Sequence, residues 1–310
     1  MLRRLLARLV RRSPAIRYTH SWSIGIYAGP TPYDLTDAPG VANPVLTRHH
    51  VRDVRAAFVA DPFMICAGGR WHMFFEVMNA ATRKGQIGLA VSDDGKTWTY
   101  DSLVLGEPFH LSYPCVFEWE GEHYMIPESH ELGTVRLYVA RRFPRDWVFV
   151  AALVEGAGAS PVDATPFRWD GRWWMFVETE PLTAHTLRLF HAERIEGPWR
   201  EHPRSPVLTG NPHIARPAGR VIVDGAQPVR FGQSDHPAYG LNVSAFVIEE
   251  LTERSYRERP VLDRPILAGS GSGWNAAGMH HVDGHRVEPF GWVACVDGWS
   301  RVDRRELYAR

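Results

Sequence analysis

The sequence predicts an all-β protein, a five-bladed β-propeller with four antiparallel strands in each blade. The first observation behind this prediction is a hairpin pattern that occurs three times, in which an apolar strand, a glycine turn and an aromatic-rich strand follow one another. The second is the spacing of the copies, which begin at Asp61, Tyr113 and Asp163, roughly 50 residues apart, a period typical of propeller blades. The third is a glutamate that ends each copy, always 15 positions after the first residue.

Each hairpin is followed by a third strand and then by a tryptophan, which completes a four-stranded unit. The first of these third strands runs into the turn Asp94-Gly95, where glycine allows the positive φ of a tight reversal. We expect the tryptophans of the three units to pack between blades rather than to stack on sugars: Trp98, Trp147 and Trp199.

The fourth and fifth units are less regular. In the fourth, the second strand is predicted at residues 220–224, without a terminal glutamate, and the fifth has strands at 278–283 and 292–297. One more strand is predicted at 22–27, within a lead-in to Pro44 that proline and glycine make otherwise irregular. The predicted organisation is therefore a basic N-terminal tail, residues 1–20, and a single propeller domain, residues 21–310.

Composition narrows the class of protein. Lys plus Arg and Asp plus Glu number 35 each, so the net charge is zero and gives no support for nucleic-acid binding. The three cysteines, Cys66, Cys115 and Cys295, contain no CxxC pair, so neither a disulfide framework nor a zinc site is predicted. Cys66 and Cys115 fall in predicted buried strands, and a reducing, cytoplasmic location follows as an expectation.

The first twelve residues form a short basic amphipathic pattern of leucines and arginines. Such a pattern favours contact with an anionic membrane surface. A membrane-peripheral location is therefore left open, and the alternative is that these residues are a frayed basic terminus. There is no apolar run of about 18 residues, so no spanning helix is predicted.

The hairpin geometry predicts where function lies. Two antiparallel strands joined by a tight turn place the start of the first and the end of the second at one edge. The residues at these positions should therefore ring one mouth of the propeller channel: Asp61, Tyr113, Asp163, Glu76, Glu128 and Glu178. Such a mouth is a usual place for a binding or catalytic site.

At this point the sequence resembles a known group of proteins, the glycoside hydrolase family 43-like propellers, which include arabinanases, xylosidases, levansucrases and invertases. The residues behind the resemblance are Asp61-Pro62 and the turn Ser92 to Trp98. The sequence is more similar to one branch, the N-terminal domain of the glucosamine inositolphosphorylceramide transferase family. That closer similarity rests on the following stretches: 60–63, 73–76, 110–114, 125–129, 215–220 and Tyr239-Gly240.

The resemblance implies roles for some mouth residues. In family 43-like hydrolases a blade-one Asp is the general base, a blade-two Asp orients it, and a blade-three Glu is the general acid. Asp61 matches the first position, Tyr113 departs from the second, and Asp163 is a shorter acid at the third. A glycosidase needs two such carboxyl groups, and Glu76, Glu128 or Glu178 could replace either member of the pair. Among these, Glu128 is the one we count as a catalytic candidate.

Other polar residues are predicted to bind substrate. Arg216 and Arg230, with Gln233, suit an anionic group such as a phosphate, or else bridge loops between blades. His280 and His281 begin the fifth unit at the same edge, and strand alternation lets at most one of them face the channel. No metal site and no cofactor are predicted, although a structural cation in the channel is left open.

Two functions remain open from the sequence. The first is a carbohydrate-active enzyme that cleaves or transfers a glycosyl unit on a glycan or glycoconjugate, with Asp61 as base or nucleophile and Asp163 as acid. The alternative is a non-catalytic glycan-binding module, or an accessory domain of a glycosyltransferase system, in which the acidic mouth binds sugar hydroxyls.

Overall fold

The computed structural model describes residues 18–308 except 157–159, 182, 224, 226, 289 and 290. Its strands form five antiparallel sheets, the blades of a five-bladed β-propeller, so the predicted fold class is confirmed. Residues 1–12, for which membrane contact is expected, lie outside the described part of the chain. No helix within that part is long and apolar enough to cross a membrane.

The chain enters through two strands that belong to the last blade, β1 (Tyr18–Thr31) and β2 (Asp34–Asp37). Blades one to three then follow in chain order, each with its first strand innermost. Blade one contains β3 (Ala56–Ala67), β4 (Arg70–Asn79), β5 (Gly85–Ser92) and β6 (Thr99–Leu105). Blade two contains β7 (Ser112–Trp119), β8 (Glu122–Glu128), β9 (Thr134–Arg142) and β10 (Arg145–Glu155), with a 3-10 turn at His130–Leu132. Blade three contains β11 (Val162–Trp169), β12 (Arg172–Glu178), β13 (Leu187–Ala192) and β14 (Arg200–Glu201).

Blade four departs from the predicted pattern. Its inner strand is broken into β15 (Arg216–Pro217) and β16 (Ile222–Val223), and both pieces pair with β17 (Pro228–Gln233). Next to β17 lies β18 (Asn242–Leu251), which pairs with β19 (Tyr256–Pro260) and β20 (Leu267–Ala268). The prediction of a second strand at 220–224 was therefore wrong, because Ile222 and Val223 belong to the broken inner strand and the second strand is β17.

The break occurs where the inner strand of blade four meets blade five. Gly219 has a φ of 123°, and a Cβ added there would lie 1.8 Å from the carbonyl oxygen of Val282. The Val282 amide donates to the oxygen of Ala218 at 2.9 Å. Only glycine fits this close approach of the two backbones. The break in the inner strand turns the next residue, Arg220, toward the channel.

Blade five closes the ring with both ends of the chain. Its inner strands are β21 (Gly278–Val287), which follows a 3-10 turn at Gly273–Asn275, and β22 (Gly291–Asp303), which leads into α1 (Arg304–Tyr308). β1 pairs with β22 without a break from Tyr18↔Asp303 to Gly29↔Trp292, and β2 adds the outer edge. The strand predicted at 22–27 is confirmed, but the observed strand is longer at both ends. The prediction of irregular structure up to Pro44 was wrong for residues 28–31 and 34–37, which lie in β1 and β2.

The core lies between the blades. Each neighbouring pair of blades encloses one cluster of buried apolar side chains, as Met73 and Phe75 of blade one do with Ile24 and Ile26 of blade five. The predicted structural tryptophans take part, Trp98 and Trp147 as buried residues and Trp199 as a partly buried one. Losing such an aromatic costs about 3–5 kcal/mol.

One cysteine is not where the sequence predicts it. Cys115 and Cys295 are buried, but Cys66 is exposed. It lies at the outer end of β3, just before the glycine turn that reverses the hairpin at the face opposite the mouth. All three cysteines are free thiols.

Candidate active site at the propeller mouth

A β-bulge interrupts each of the three repeated hairpins at the mouth, the end of the channel where their second strands finish. The residue before each bulge pairs with the terminal glutamate: Ala60 with Glu76, Ser112 with Glu128 and Val162 with Glu178. The residue that follows has a positive φ, which is 53° at Asp61, 44° at Tyr113 and 50° at Asp163. The expectation that these residues share an edge is confirmed. A positive φ strains the backbone of a non-glycine residue by about 1–3 kcal/mol, and such strained residues are concentrated at functional sites.

Blade four contributes a variant of the same arrangement. Arg216 pairs with Gln233 across β15 and β17, just as Ser112 pairs with Glu128 in blade two. Gln233 is therefore the counterpart of the three glutamates, although it follows Arg216 by 17 residues, whereas Glu128 follows Ser112 by 16. The dipeptide Arg216-Pro217 resembles Asp61-Pro62 in sequence, but the pairing places Arg216 one position earlier, where blade one has Ala60.

Arg216 is the cation at the centre of the mouth. Its Nε lies 2.5 Å from Asp163 Oδ2, and its Nη2 lies 3.3 Å from Glu128 Oε2. Gln233 Nε2 donates to the same Asp163 oxygen at 3.3 Å, and the guanidinium lies 5.1 Å from the ring centre of Tyr239. The sequence-predicted residues Asp163, Glu128, Arg216 and Gln233 are thus brought together.

Asp61 is held from two neighbouring blades. Its backbone amide donates to Asp297 Oδ2 at 2.9 Å, and its Oδ2 accepts the backbone amide of Tyr113 at 3.3 Å. His280 Nε2 lies 3.6 Å from Asp61 Oδ1, while His280 Nδ1 lies 2.7 Å from Asp297 Oδ1. Trp22 stacks on the His280 ring at 3.9 Å. Asp297 and Trp22 were not identified from the sequence.

Both predicted histidines of blade five approach Asp61. His281 Nδ1 lies 4.0 Å from Asp61 Oδ1, little farther than His280 Nε2. The expectation that at most one would face the channel was wrong, because a bulge between Gly278 and His281 interrupts the alternation of side chains.

Each terminal glutamate has a histidine beside it. The contacts are Glu76 Oε1 with His110 Nε2 at 3.6 Å, Glu128 Oε1 with His130 Nδ1 at 2.8 Å, and Glu178 Oε1 with His185 Nδ1 at 3.4 Å. The histidines come from loops outside the repeated hairpins, so the 15-residue interval does not reveal them. The mouth therefore carries paired acid and imidazole groups on three blades.

Burial raises the pKa of several of these acids. It raises the pKa of Glu178 to about 8, with Arg216 opposing the shift and Asp235 adding to it. Burial also raises the pKa of Asp61 to about 6, against the attraction of His280. Glu76 shifts in the same direction, because burial and the nearby Asp61 carboxyl both raise its pKa.

Asp163 and Glu128 form a pair with opposite proton affinities. Burial raises the pKa of Asp163, outweighing Arg216, and a hydrogen bond to Glu128 adds to the rise. Burial also opposes ionisation of Glu128, but the hydrogen bond with His130 and the charge of Arg216 prevail and lower its pKa to about 2. The pKa values of the two acids are therefore moved apart, upward for Asp163 and downward for Glu128.

Several buried acceptors in the mouth have no hydrogen-bond partner within the described protein. They are both carboxyl oxygens of Glu178, Oε1 of Glu76, Oε1 of Gln233 and Oδ1 of Asp235. Glu178 is fully buried, and buried polar atoms are rarely left unsatisfied unless a ligand or water meets them. The mouth is thus arranged to receive a molecule rich in hydrogen-bond donors.

A second arginine crosses the channel below the mouth. Arg220 Nε donates to Asp283 Oδ1 at 2.7 Å, and its Nη2 donates to the Val116 carbonyl at 2.8 Å. Asp283 Oδ2 in turn accepts the amide of Met64 at 2.7 Å. One guanidinium therefore ties together the inner strands of blades one, two and five and forms a floor beneath the mouth.

Two predicted binding residues do not face the mouth. The Tyr113 hydroxyl lies 2.8 Å from Thr165 Oγ1 and accepts the amide of Gly219 at 2.8 Å, so the buried ring links blades two, three and four. Arg230 is 2% exposed and forms a bidentate pair with Glu258 of β19. Both side chains thus use their polar groups inside the protein, which leaves them no group to offer a substrate in this arrangement.

Among the described residues, one group has acid and imidazole side chains close enough to share a cation. It consists of Asp61, His280 and Asp297, whose possible ligand atoms lie within 4.8 Å of one another. The 2.7 Å contact between His280 and Asp297 already satisfies two of these atoms. We therefore interpret the three as a hydrogen-bonded acid–histidine–acid chain. A separate groove of about 530 Å³, lined by Tyr33 and Trp292 among others, lies between blades four and five and shares none of these residues.

The chain is similar to known proteins along most of its length. Residues 18–299 match the family model described as "Glucosamine inositolphosphorylceramide transferase 1, N-terminal". The rice protein glucosamine inositolphosphorylceramide transferase 1 is 35% identical over 90% of this chain, and the chain spans about 40% of that relative's length.

Solved structures share the fold at low sequence identity. A family 117 glycoside hydrolase of Zobellia galactanivorans superimposes with a TM-score of 0.54 at 13% identity, covering 90% of each chain. A glycosyl hydrolase from Bacteroides ovatus gives a TM-score of 0.55 at 11% identity, covering 90% of this chain and 95% of that one. These matches establish the architecture that the chain has in common with propeller hydrolases.

Proposed function

Because this chain belongs to the family of glucosamine inositolphosphorylceramide transferase 1 N-terminal domains, we propose that its mouth binds a glycan or glycoconjugate and cleaves or transfers one glycosyl unit. The observation that carries this proposal is the division of proton affinity among acids at one mouth. The pKa of Asp61 is about 6, burial raises the pKa of Asp163, and the pKa of the neighbouring Glu128 is lowered to about 2. Pairs of acids whose environments separate their pKa values are the usual basis of acid–base assignments.

The chemistry follows from these proton states. Near neutral pH, Asp61 is mostly ionised and serves as the base or nucleophile, while protonated Asp163 serves as the acid that protonates the leaving oxygen. His280 lies between Asp61 and Asp297 and fixes the orientation of the Asp61 carboxyl. Arg216 stabilises the negative charge that remains on Glu128 and, once its proton has left, on Asp163.

The unpaired acceptors suggest the kind of sugar that binds. Glu178, Glu76 and Gln233 present oxygens without donors, so a ligand rich in hydroxyl groups would satisfy them. An ammonium group would gain further from the surrounding carboxylates. The name of the rice relative contains glucosamine, an amino sugar of this chemical class.

A binding module is the second candidate. The observation in its favour is that Asp163 Oδ2 is already engaged by both Arg216 and Gln233. An acid held in this way can be a structural member of a sugar-binding mouth without giving up its proton. In that case the chain is an accessory domain of a glycosyltransferase system.

The deciding experiment compares wild type with Asp61→Asn in a glycan-panel screen for cleavage and transfer, run beside calorimetric sugar binding. The amide keeps the shape of the side chain but cannot act as a base or nucleophile, so turnover should fall by at least about 10²–10⁴-fold. Sugar affinity should change only by about the 0.5–1.5 kcal/mol of one hydrogen bond.

Asp93→Asn is the matched control, because this aspartate is 87% exposed and lies in the turn after β5, at the opposite face. Turnover that is lost in Asp61→Asn and kept in Asp93→Asn supports the enzyme. Sugar binding by wild type without turnover, across donors and acceptors, would instead assign the chain to the binding module. If wild type neither bound nor converted any glycan, both candidates would be rejected.

A further inference from the structure

The face that carries the mouth is also where the N-terminal segment joins the propeller. β1 begins at Tyr18, which pairs with Asp303 near the end of β22. Trp299 of β22 pairs with Gly278, where β21 begins at the mouth, so the end of β22 and the start of β1 lie on the mouth side of the propeller. Residues 1–17 contain six arginines and no acidic residue. A strongly basic segment is therefore tethered at the rim of the mouth, although the net charge of the whole chain is zero.

The adjoining rim is basic as well. Three segments meet there, residues 47–55 before β3, residues 79–84 between β4 and β5, and residues 300–308 at the C-terminal end. They are joined by contacts of Arg48 with the Glu306 carbonyl and of Arg83 with the Tyr308 ring. Together they hold eight arginine and lysine side chains against three acidic ones. Arg52, Arg301 and Arg304 are exposed.

The opposite face differs in charge. The hairpin turn of blade two carries Glu118, Glu120 and Glu122 within five residues, and other turns on that side mix acids with bases. Exposed positive charge is thus concentrated on the rim of blades five and one, whereas the acids of the mouth are buried inside that rim. Such an asymmetry orients a protein relative to a charged surface even when its net charge is zero.

We propose that the mouth rim of blades five and one docks on an anionic lipid bilayer, so that the mouth opens toward the membrane. The mixture of leucine and arginine in residues 1–12 favours a lipid surface over a nucleic acid, because it combines apolar area with charge. Leu132, 43% exposed in the loop after β8, adds an apolar side chain beside Lys84 on the same face. The proposal concerns the orientation of the protein and does not depend on catalysis.

The binding test uses the full chain and sedimentation with phosphatidylcholine vesicles that contain or lack phosphatidylserine. Binding should require phosphatidylserine and weaken with salt. The triple variant Arg52→Glu, Arg301→Glu and Arg304→Glu should bind at least about tenfold more weakly, since each basic residue near the surface contributes roughly a fivefold factor. The matched control reverses three exposed arginines away from the rim: Arg142, Arg194 and Arg259.

The orientation test uses a polarity-sensitive fluorophore on single cysteines. Native Cys66 is exposed at the face opposite the mouth, and Thr82→Cys in a Cys66→Ser background places the label on the rim. Only the rim label should shift its emission on vesicles.

Equal loss of binding in the two triple variants, or an emission shift from Cys66, would overturn the proposal. The proposal would also be overturned if vesicle binding did not depend on phosphatidylserine, or if the protein bound duplex DNA but no vesicles.

Discussion

Replacing Glu178 by glutamine should reveal how strongly the mouth disfavours negative charge. Glu178 is fully buried, both of its oxygens lack hydrogen-bond partners, and burial raises its pKa from 4.5 to about 8. A carboxyl group whose pKa is raised by folding binds its proton more tightly in the folded state. Its stabilising effect is therefore complete below pH 4.5 and is lost as the pH rises through 8.

The size of the effect follows from the shift. Because unfolded Glu178 loses its proton above pH 4.5 while folded Glu178 keeps it up to about pH 8, the free energy of unfolding falls relative to low pH. The fall is about 1 kcal/mol at pH 5, about 3 kcal/mol at pH 7 and about 5 kcal/mol at pH 9. Glutamine has the same shape and no charge, so Glu178→Gln escapes this loss. The difference in unfolding free energy between variant and wild type should thus increase by roughly 4 kcal/mol from pH 5 to pH 9.

The assay is urea unfolding of both proteins at several pH values, with the midpoint and slope fitted separately. Val150→Ala is the control, because this exposed outer-strand residue carries no ionisable group and its difference from wild type should not vary with pH. If the difference for Glu178→Gln were also constant with pH, Glu178 would ionise as in water, and the description of the mouth as a buried acidic site would be refuted.

Three further predictions concern the residues that support the site and the N-terminal segment. Arg220→Met should destabilise the protein by about 3–5 kcal/mol in urea unfolding, because it leaves the Asp283 carboxylate buried without its guanidinium; addition of Asp283→Asn should recover part of the loss, and no recovery would contradict the pairing. Gly219→Ala should cost at least about 2 kcal/mol through its φ and its clash with the Val282 carbonyl, and a melting temperature equal to that of wild type would contradict that local structure. Deleting residues 2–12 should leave the melting temperature nearly unchanged, because this segment lies outside the repeats, and a large loss in differential scanning calorimetry would show that it packs on the propeller.

The repeated hairpins were predictable because their signals are local. Period-two strands, a glycine turn and a fixed interval place Asp61 beside Glu76 without knowledge of any long-range contact. The same reasoning extends to Asp163 and Glu178. The local pattern therefore predicted the fold class and the acidic edge of the mouth.

What the sequence did not reveal depends on contacts between distant segments. Closure of blade five by β1 joins residues nearly 300 positions apart, and no local pattern specifies that pairing. Arg230 and Tyr113 have the polarity of binding residues, yet Glu258 and Thr165 use that polarity inside the protein. The histidines beside the glutamates come from loops, where sequence spacing carries no geometric information.

The most direct test of the account is a carbon-13 NMR titration of the Asp and Glu side-chain carboxyl groups over the pH range in which the protein is folded. Asp61→Asn, Glu128→Gln and Glu178→Gln would assign the three decisive signals. The account predicts that Asp61 titrates near pH 6 and Glu178 near pH 8, while Glu128 stays ionised down to about pH 2. Three signals that all titrate near the ordinary value of about 4 would contradict it, because the mouth would then hold no separated acid and base.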